Sequence, residues 1–292
     1  MHKLRISLKP PVWFMVLVMA ALAAGCGGGS GGTDGGAQPT TTAGAGEGLG
    51  AGHGPAPLHL GTAANFVILT VNALTNQPPS VITGNVGLTK VSGSQIGLTC
   101  AEVSGQIVSI DTVATSNTAA TSGSKKPKRP GGSGGTGSVA DASCYVTDAA
   151  GLNQGELDAD DAFNDASART ADYNELSNGN IGGLNLGPAT YSWSTAISIA
   201  TNLTLTGGPN DVWIFRAQQG LLVSPGVQII LKGGALPQNV FWAPRAQVEL
   251  GTGAQFKGIL LPAAAVFMGT GVSLNGKVLA AEVHLNQSTV GP

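Results

Sequence analysis

Short apolar runs punctuated by glycine repeat every eighteen residues in the C-terminal part of the chain. Leu250 to Phe267 read LGTGAQFKGILLPAAAVF, and Met268 to Leu285 read MGTGVSLNGKVLAAEVHL. The alignment of these two rows places Gly-Thr-Gly over Gly-Thr-Gly and Gly258 over Gly276. Because a repeat of this length with β-type apolar runs is typical of a solenoid, each row predicts one coil that packs on its neighbours.

The same register extends towards the N-terminus. Phe241 to Pro244 lie eighteen residues before Ile259 to Pro262, which predicts a third coil. Ser224-Pro225-Gly226-Val227 resembles another Gly-Thr-Gly corner, but it lies earlier in the chain than the eighteen-residue register predicts. We assign the additional residues to a loop at Lys232 to Asn239. Alternating apolar and polar residues in Ile197 to Leu205 predict an earlier coil.

A helical period replaces this pattern between Thr147 and Ser177. Apolar or small residues recur there at spacings of three, four and seven: Leu152, Ala159, Phe163, Ala166, Thr170, Tyr173 and Leu176. The period predicts one amphipathic α-helix over 147–178 that covers a flank of the solenoid. Asp158, Asp160 and Asp161 lack the glycine and distal glutamate of a calcium loop, so we interpret them as a solvated helix face.

Composition narrows the classes of function. The 292 residues include 45 glycines, 10% are charged, and the net charge is -2, which gives no electrostatic reason to expect a nucleic-acid partner. Only Asp211, Glu249 and Glu282 among the carboxylates follow Ile181. Glu249 and Glu282 are off the eighteen-residue register, so they do not predict the converging pair of a polysaccharide-active β-helix enzyme. We predict no enzyme, no catalytic residue, no cofactor and no metal.

The N-terminus carries the pattern of an export signal. A basic region with Lys3, Arg5 and Lys9 precedes the apolar stretch Val12 to Ala24, which is too short for a comfortable membrane span. Leu22-Ala23-Ala24-Gly25-Cys26 resembles a bacterial lipobox, although Ala23 stands where that motif usually has leucine. We predict a signal peptide over 1–25 and lipidation of Cys26; the alternative is an ordinary cleaved signal with an incidental cysteine.

Residues 26–57 are rich in glycine, serine and threonine, and such a composition cannot bury enough apolar surface to order itself. We predict a disordered tether here and a folded domain over 58–292. The protein is then expected to be a monomeric lipoprotein of the cell envelope, at the outer membrane or the outer face of the plasma membrane. It would be secreted if Cys26 is not lipidated.

Several separated segments resemble the ice-binding-like family, a group of secreted microbial β-solenoid proteins. The matching segments are Leu60 to Leu69, Ser80 to Gly87, Leu186 to Tyr191, Asp211 to Phe215, Asn239 to Trp242 and the repeat itself. The resemblance covers about Leu58 to Val290. It implies a three-sided right-handed parallel β-helix with a long flanking α-helix, in which the N-terminal coil lies beside the C-terminal one.

Cys100 and Cys144 bound an irregular stretch that contains the basic run Lys125 to Arg129. In an exported protein we predict that these two cysteines form a disulfide. In the family this region often caps the open end of the solenoid, so we expect a capping insertion over 100–144. We interpret the basic run as a solvated loop tip, because it is a lone cluster flanked by proline and glycine.

The resemblance also implies ice binding through a flat solenoid face. Family members carry a motif like Thr-Ala/Gly-x-Thr/Asn on successive coils. The matching positions give the candidate ice-binding residues Thr252, Gln255, Thr270, Ser273 and, in a degraded third copy, Ser224. Rungs about 4.8 Å apart would array these side chains as a lattice that can order water.

Two other interpretations of these residues stay open. Gly-Thr-Gly also suits a solenoid corner, where glycine supplies unusual backbone angles. Gln255 and Val227 replace the small polar residue of the motif, and a long glutamine would disturb a water lattice. The alternative function is therefore an envelope structural or adhesion protein on the same scaffold, without ice activity.

Overall fold

The computed structural model describes residues 53–92, 96–111 and 143–292. Cys26, the predicted signal peptide and the basic run lie outside these residues. The described part contains one α-helix, α1 (Ala149–Ala168), and twenty strands. In chain order the strands are β1 (Phe66–Gln77), β2 (Val81–Thr83), β3 (Asn85–Leu88), β4 (Val103–Ser104), β5 (Ile107–Ser109), β6 (Tyr145–Thr147), β7 (Tyr173–Asn174), β8 (Asn185–Leu186), β9 (Thr190–Trp193), β10 (Ile197–Ile199), β11 (Leu203–Thr206), β12 (Trp213–Ala217), β13 (Leu221–Val223), β14 (Ile229–Lys232), β15 (Val240–Pro244), β16 (Val248–Leu250), β17 (Gln255–Leu260), β18 (Ala265–Met268), β19 (Ser273–Asn286) and β20 (Thr289–Gly291).

The strands pair in parallel and stack into three ladders, one for each side of a β-helix. Face A consists of β7, β9, β12, β15, β17, β19, β1, β3, β5 and β6 in spatial order. Face B consists of β10, β13, β16, β18, β19 and β1. Face C consists of β8, β11 and β14, followed by β17, β19, β20, β2 and β4. A single bridge between Gln228, just before β14, and Gln255 of β17 joins the two groups. Three long strands, β1, β17 and β19, turn corners and serve more than one face.

The eighteen-residue repeat corresponds to the pairing of strands in adjacent coils. Phe241 pairs with Ile259, and Gly258 pairs with Gly276, each eighteen residues later. Val223 pairs with Leu250 across a longer interval. The extra residues follow β14 and include the 3-10 turn Pro237–Asn239, where the sequence predicted a loop.

The order of the coils in space differs from their order in the chain. β1 lies between β19 and β3, and Ile68 pairs with Val278. β20 lies between β19 and β2 on face C. One rung is therefore composite, with face C from the C-terminal β20 and faces A and B from the N-terminal β1. This confirms the expected position of the N-terminal coil beside the C-terminal one.

Stacked aromatic side chains fill the interior behind face A. The rings of Tyr191 and Phe215 lie 5.1 Å apart, those of Phe215 and Trp242 lie 4.1 Å apart, and both pairs are nearly parallel. All three side chains are buried. Parallel pairing places equivalent inward positions above one another, so large rings in one register position form a continuous ladder that fixes the coil spacing.

Helix α1 covers the outward side of face A. The Asp148 carboxylate caps its first turn by accepting a hydrogen bond from the Gly151 N–H at 2.9 Å. Leu152, Ala162 and Ala166 are buried against outward apolar residues of the sheet. In residues 53–92, 96–111 and 143–292, no helix has the length and apolar character needed to cross a membrane.

The helix predicted over 147–178 was too long, because α1 ends at Ala168. Arg169 already has extended backbone angles. The Asp172 N–H donates to the Thr190 carbonyl, and the Tyr173 ring stacks on Tyr191 at 5.1 Å. The apolar residues after Ala168 therefore begin the first coil of the solenoid instead of extending the helix.

The prediction of a capping insertion over 100–144 was wrong at its N-terminal end. Cys100 and Cys144 form the predicted disulfide. However, β4 and β5 follow Cys100 and extend faces C and A by another rung. After the disulfide, β6 pairs with β5. The excursion is thus confined to the chain between Ser109 and Cys144, of which residues 112–142 lie outside the described part.

The folded domain begins before Leu58, where the sequence placed its start. The His53 N–H donates to the Asp211 carboxylate at 2.6 Å, and the His53 carbonyl accepts from the Val212 N–H at 3.2 Å. Asp211 is 6% exposed and also accepts from the Gly208 N–H. A nearly buried carboxylate requires such donors, which explains why these N-terminal residues are held on the domain.

Candidate functional site

Three turns of the same type stack at the corner between faces B and C. They span Ser224–Val227, Gly251–Ala254 and Gly269–Val272, and each is closed by a bond from its fourth N–H to its first carbonyl at 3.0–3.3 Å. Thr252 and Thr270 hold the second position of their turns and are exposed. Within the described residues neither threonine side chain makes a hydrogen bond inside the protein. Their hydroxyl and methyl groups are free to meet an external ligand.

Glycine at the third position makes these turns possible. Gly226, Gly253 and Gly271 have φ values of 71°, 69° and 70°, which residues with a Cβ rarely adopt. Pro225 occupies the place that Thr252 and Thr270 hold in the other turns. The turn therefore does not require a hydroxyl at this position, and turn geometry alone does not account for the two threonines.

The proposed third copy of the motif was misaligned by one residue. Ser224 takes the place of Gly251 and not of Thr252, because Gly226 and Gly253 fix the register. Val227 is 4% exposed and points inward in line with Ala254, so it is not a substituted ligand of the surface. On the side of the earlier coil, Gln255 pairs with Gln228.

Face C presents two outward columns next to this corner. In the first column, Gln255 pairs with Ser273, Ser273 with Thr289, and Thr289 with Val81. In the second column, Lys257 pairs with Asn275 and Asn275 with Gly291, while further along Thr83 pairs with Ser104.

The long side chains of face C lie at one end and the short ones at the other. Gln228, Gln255 and Lys257 belong to the earlier rungs. From β19 to β4 the outward side chains of face C are short. Together with the corner threonines, the polar ones form what we call the hydroxyl patch: Thr252, Thr270, Ser273, Asn275, Thr289, Thr83 and Ser104. Val81, which pairs with Thr289 and is 55% exposed, places one apolar side chain among them. None of these side chains is charged and none is long, so the patch carries no net charge and no large projection.

A rigid layer supports the hydroxyl patch from below. The alternate residues of the same strands and turns point inward and are at most 1% exposed: Ile82, Ala254, Phe256, Val272, Leu274 and Val290. Close packing of this layer holds the outward side chains at the rung spacing of about 4.8 Å. Sequence reasoning missed Thr83, Ser104 and Thr289 because they lie outside the two aligned rows of the repeat.

The other two faces differ from face C. Face A is covered by α1. The central column of face B carries Leu222, Glu249, Phe267 and His284, which are bulky or charged. Glu249 pairs with Phe267, whereas Glu282 pairs with Ala265, so the two carboxylates do not stack. Among the described residues no group of three or more His, Cys, Asp or Glu side chains is placed to hold a metal ion.

These features define a β-helix protein whose candidate site is an extended surface and not a pocket. The comparisons with known proteins agree, and the chain belongs to the ice-binding-like family, whose model matches residues 68–291. Ice-binding proteins of Flavobacterium frigoris (strain PS1) and a Colwellia species are each 34% identical to it. The alignments cover 80% and 81% of this chain, and 75% and 84% of those relatives.

A solved structure agrees with the fold. The crystal structure of a glycosylated ice-binding protein from an Arctic yeast matches with a TM-score of 0.66 and 29% identity. The match covers 80% of this chain and 94% of the yeast protein. The predicted β-helix and the family resemblance are thereby confirmed.

Proposed function

We propose that this protein is a non-enzymatic ice-binding protein and that the hydroxyl patch is the surface that meets ice. The observation that carries this proposal is the register of face C, where short, uncharged side chains stand above one another from β19 to β4. Relatives named as ice-binding proteins support the class of function.

A flat crystal is matched best by a flat and rigid surface. Each threonine offers one hydroxyl and one methyl group, which together can hold water in an ice-like arrangement without a cavity. Because the patch is already ordered by the packed layer beneath it, binding costs little conformational entropy. Many weak contacts at a regular spacing then act together. Binding through the patch requires neither a cofactor nor a metal.

Substitution of the corner threonines by tyrosine tests this assignment. Thr252→Tyr and Thr270→Tyr each place a ring above the plane and should sharply reduce thermal hysteresis and ice shaping. The free energy of unfolding should change by less than about 0.5 kcal/mol, because both positions are exposed. Thr75→Tyr on face B is the matched control and should retain ice activity.

The outcomes separate the alternatives. Joint loss of hysteresis and stability in the two corner variants would mean that the threonines serve the turn. Loss of activity in Thr75→Tyr alone would move the ice-binding surface to face B. If ice crystals grown in the unmodified protein remain discs without facets, the scaffold has no ice activity and the envelope structural or adhesion role gains support.

We further propose that the domain is tethered to the cell envelope through a lipid on Cys26. The support is the lipobox-like sequence before this cysteine and the Gly/Ser/Thr-rich segment after it. Cys26→Ser should release the protein from the membrane fraction into the soluble fraction. An unchanged membrane distribution would contradict the lipoprotein assignment.

A further inference from the structure

The hydroxyl patch is assembled from both ends of the domain. Ser273 and Asn275 lie on β19 and Thr289 lies on β20, whereas Thr83 and Ser104 lie on β2 and β4. The C-terminal part and the N-terminal part of the patch meet where β20 pairs with β2, a boundary that we call the junction. Because the two parts are far apart in the chain, contacts across the junction must hold their side chains level.

Two buried serines lie directly beneath the junction. The Thr289 N–H donates to the Val272 carbonyl at 2.8 Å, and in the next rung the Val81 N–H donates to the Ser288 carbonyl at 2.9 Å. Ser288 therefore takes the inward position that Val272 holds one rung earlier, and Ser80 takes it one rung later. Ser288 is 1% exposed and Ser80 is 2% exposed. A hydroxyl buried in an otherwise apolar layer is costly unless it is hydrogen-bonded.

Both hydroxyls are hydrogen-bonded, and that of Ser80 connects the two ends of the domain. Ser80 Oγ accepts from the Ser288 N–H at 3.1 Å and donates to Asn76 Oδ1 at 2.7 Å. Ser288 Oγ donates to the Asn286 carbonyl at 3.2 Å. Glu102 continues the network, because its carboxylate accepts from the Ser80 N–H at 3.0 Å and from the Asn76 amide at 2.9 Å. The network thus spans three successive rungs.

The corner at the junction depends on this network more than the regular corners do. In the preceding rung the Val272 N–H closes its own turn by donating to the Gly269 carbonyl at 3.2 Å. The equivalent N–H, that of Ser288, donates across to Ser80 in the next rung. Gln287 supplies the left-handed residue of this corner, with a φ of 49°, and this angle is unfavourable for a residue with a Cβ. A bond between rungs therefore takes the place of a bond within the turn.

We propose that Ser288, Ser80 and Glu102 are positioning residues that join the two parts of the hydroxyl patch into one level surface. Each of them stands directly before a strand of the patch: Ser288 before β20, Ser80 before β2 and Glu102 before β4. The hydrogen bonds between them fix the height of each strand relative to the next. A shift at the junction would divide the patch into two smaller surfaces that a flat crystal cannot meet together. This inference rests on the proposed ice-binding function.

Ser80→Ala tests the proposal, because it removes the hydroxyl that links Ser288 to Asn76. The thermal hysteresis of this variant should fall below that of the unmodified protein at the same concentration. Native-state hydrogen exchange at the Ser288 and Val81 amides should become about fivefold faster, as expected for the loss of one ordinary hydrogen bond. Ser288→Ala is a second variant, with the same expected direction in both measurements, and it serves if Ser80→Ala does not fold.

Ser109→Ala is the matched control. Ser109 is also 1% exposed, donates one hydrogen bond to the Asp111 carbonyl at 2.8 Å, and lies on β5 of face A. Its replacement should lower the melting temperature, as Ser80→Ala does, but it should leave thermal hysteresis and the exchange of the Val81 amide unchanged. A role in stability alone would give the same loss of hysteresis in both variants and would overturn the proposal.

The remaining outcomes separate this inference from the proposed function. Hysteresis in the unmodified protein that survives in Ser80→Ala would contradict the positioning role alone. Unchanged exchange at Val81 in Ser80→Ala would show that the network does not hold the junction. Absence of hysteresis in the unmodified protein would contradict ice binding by the patch, and this inference with it.

Discussion

Two glycines in the same coil have different structural roles at the scale of single residues. Gly271, at the corner turn, has a φ of 70° and open space where a Cβ would lie. Gly276, at the next corner, has a φ of 148°, and a Cβ there would collide with the carbonyl oxygen of Gly258 in the adjacent rung. Gly271 is required only because of its left-handed backbone angle, whereas Gly276 also allows the coils to stack closely.

We expect Gly271→Ala to cost about 1–2 kcal/mol, the usual penalty for a left-handed residue with a Cβ. Gly276→Ala should cost more, in the range above about 4 kcal/mol that marks severe substitutions, because relief of the collision requires β17 and β19 to separate. Urea denaturation of both variants measures the difference. Equal losses would mean that the rungs can shift apart without penalty.

Glu102 ties together three segments of the N-terminal coils. Its carboxylate accepts hydrogen bonds from the Asn76 amide at 2.9 Å, the Ser80 N–H at 3.0 Å and the Thr99 N–H at 3.1 Å. Burial by itself raises the pKa of Glu102, but these hydrogen bonds outweigh burial and bring the pKa below its ordinary value. The fold therefore favours the ionised carboxylate over the protonated one.

The stability that Glu102 contributes depends on pH. It is fully present above the pKa of an unfolded glutamate, about 4.3, and it is lost as the pH falls through the lower pKa of the folded state. We expect Glu102→Gln to lower the melting temperature at pH 7 and to lose less on acidification to pH 3 than the unmodified protein. Asp161→Asn is the control, and an identical acid-induced loss in Glu102→Gln would contradict the assignment.

The sequence alone was sufficient to predict part of the candidate site, namely the residues that the repeat aligns. Thr252 and Thr270 are visible because the repeat aligns them and glycine marks their turns. Ser224 was misplaced because the longer coil after it obscured a shift of one residue. Thr83 and Ser104 were missed because they reach face C through the composite stacking order, which brings N-terminal strands beside C-terminal ones without any local pattern.

At the scale of elements, helix α1 illustrates how periodicity locates an element but not its end. The spacing of Leu152, Phe163 and Ala166 predicted the helix, and the structure confirms it. Tyr173 and Leu176 continue the same spacing by coincidence. Their backbone lies beside β9 instead, because pairing with an existing sheet and stacking on Tyr191 satisfy that segment better than another helical turn.

Two leucines of α1 provide a test of how the helix is held. Leu152 is buried against face A, whereas Leu157 is 58% exposed. We expect Leu152→Ala to lower the free energy of unfolding by about 2–5 kcal/mol, because it leaves a cavity between helix and sheet. Leu157→Ala should stay within about 0.5 kcal/mol. Thermal unfolding followed by circular dichroism measures both, and similar values would argue against packing of α1 on the sheet.

At the scale of the whole molecule, the composite rung joins the two ends of the domain. Val290 of β20 is fully buried, and β20 pairs with both β19 and β2. We expect deletion of Thr289 to Pro292 to lower the free energy of unfolding by at least about 2 kcal/mol, from the lost valine burial and the two opened ladders. Deletion of Pro292 alone is the control. A loss no larger than that of the control would show that β20 is dispensable.

The composite rung also determines when the newly synthesised chain can complete its fold. β1 is among the first strands to leave the ribosome, yet β19, its partner on two faces, is among the last, because 210 residues separate Ile68 from Val278. Closing so long a connection is slow. Until β19 and β20 emerge, β1 and β2 each lack the neighbour on one edge. Most linear solenoids can grow coil by coil as they are translated, but this chain can close its stack only when its last strands have been synthesised.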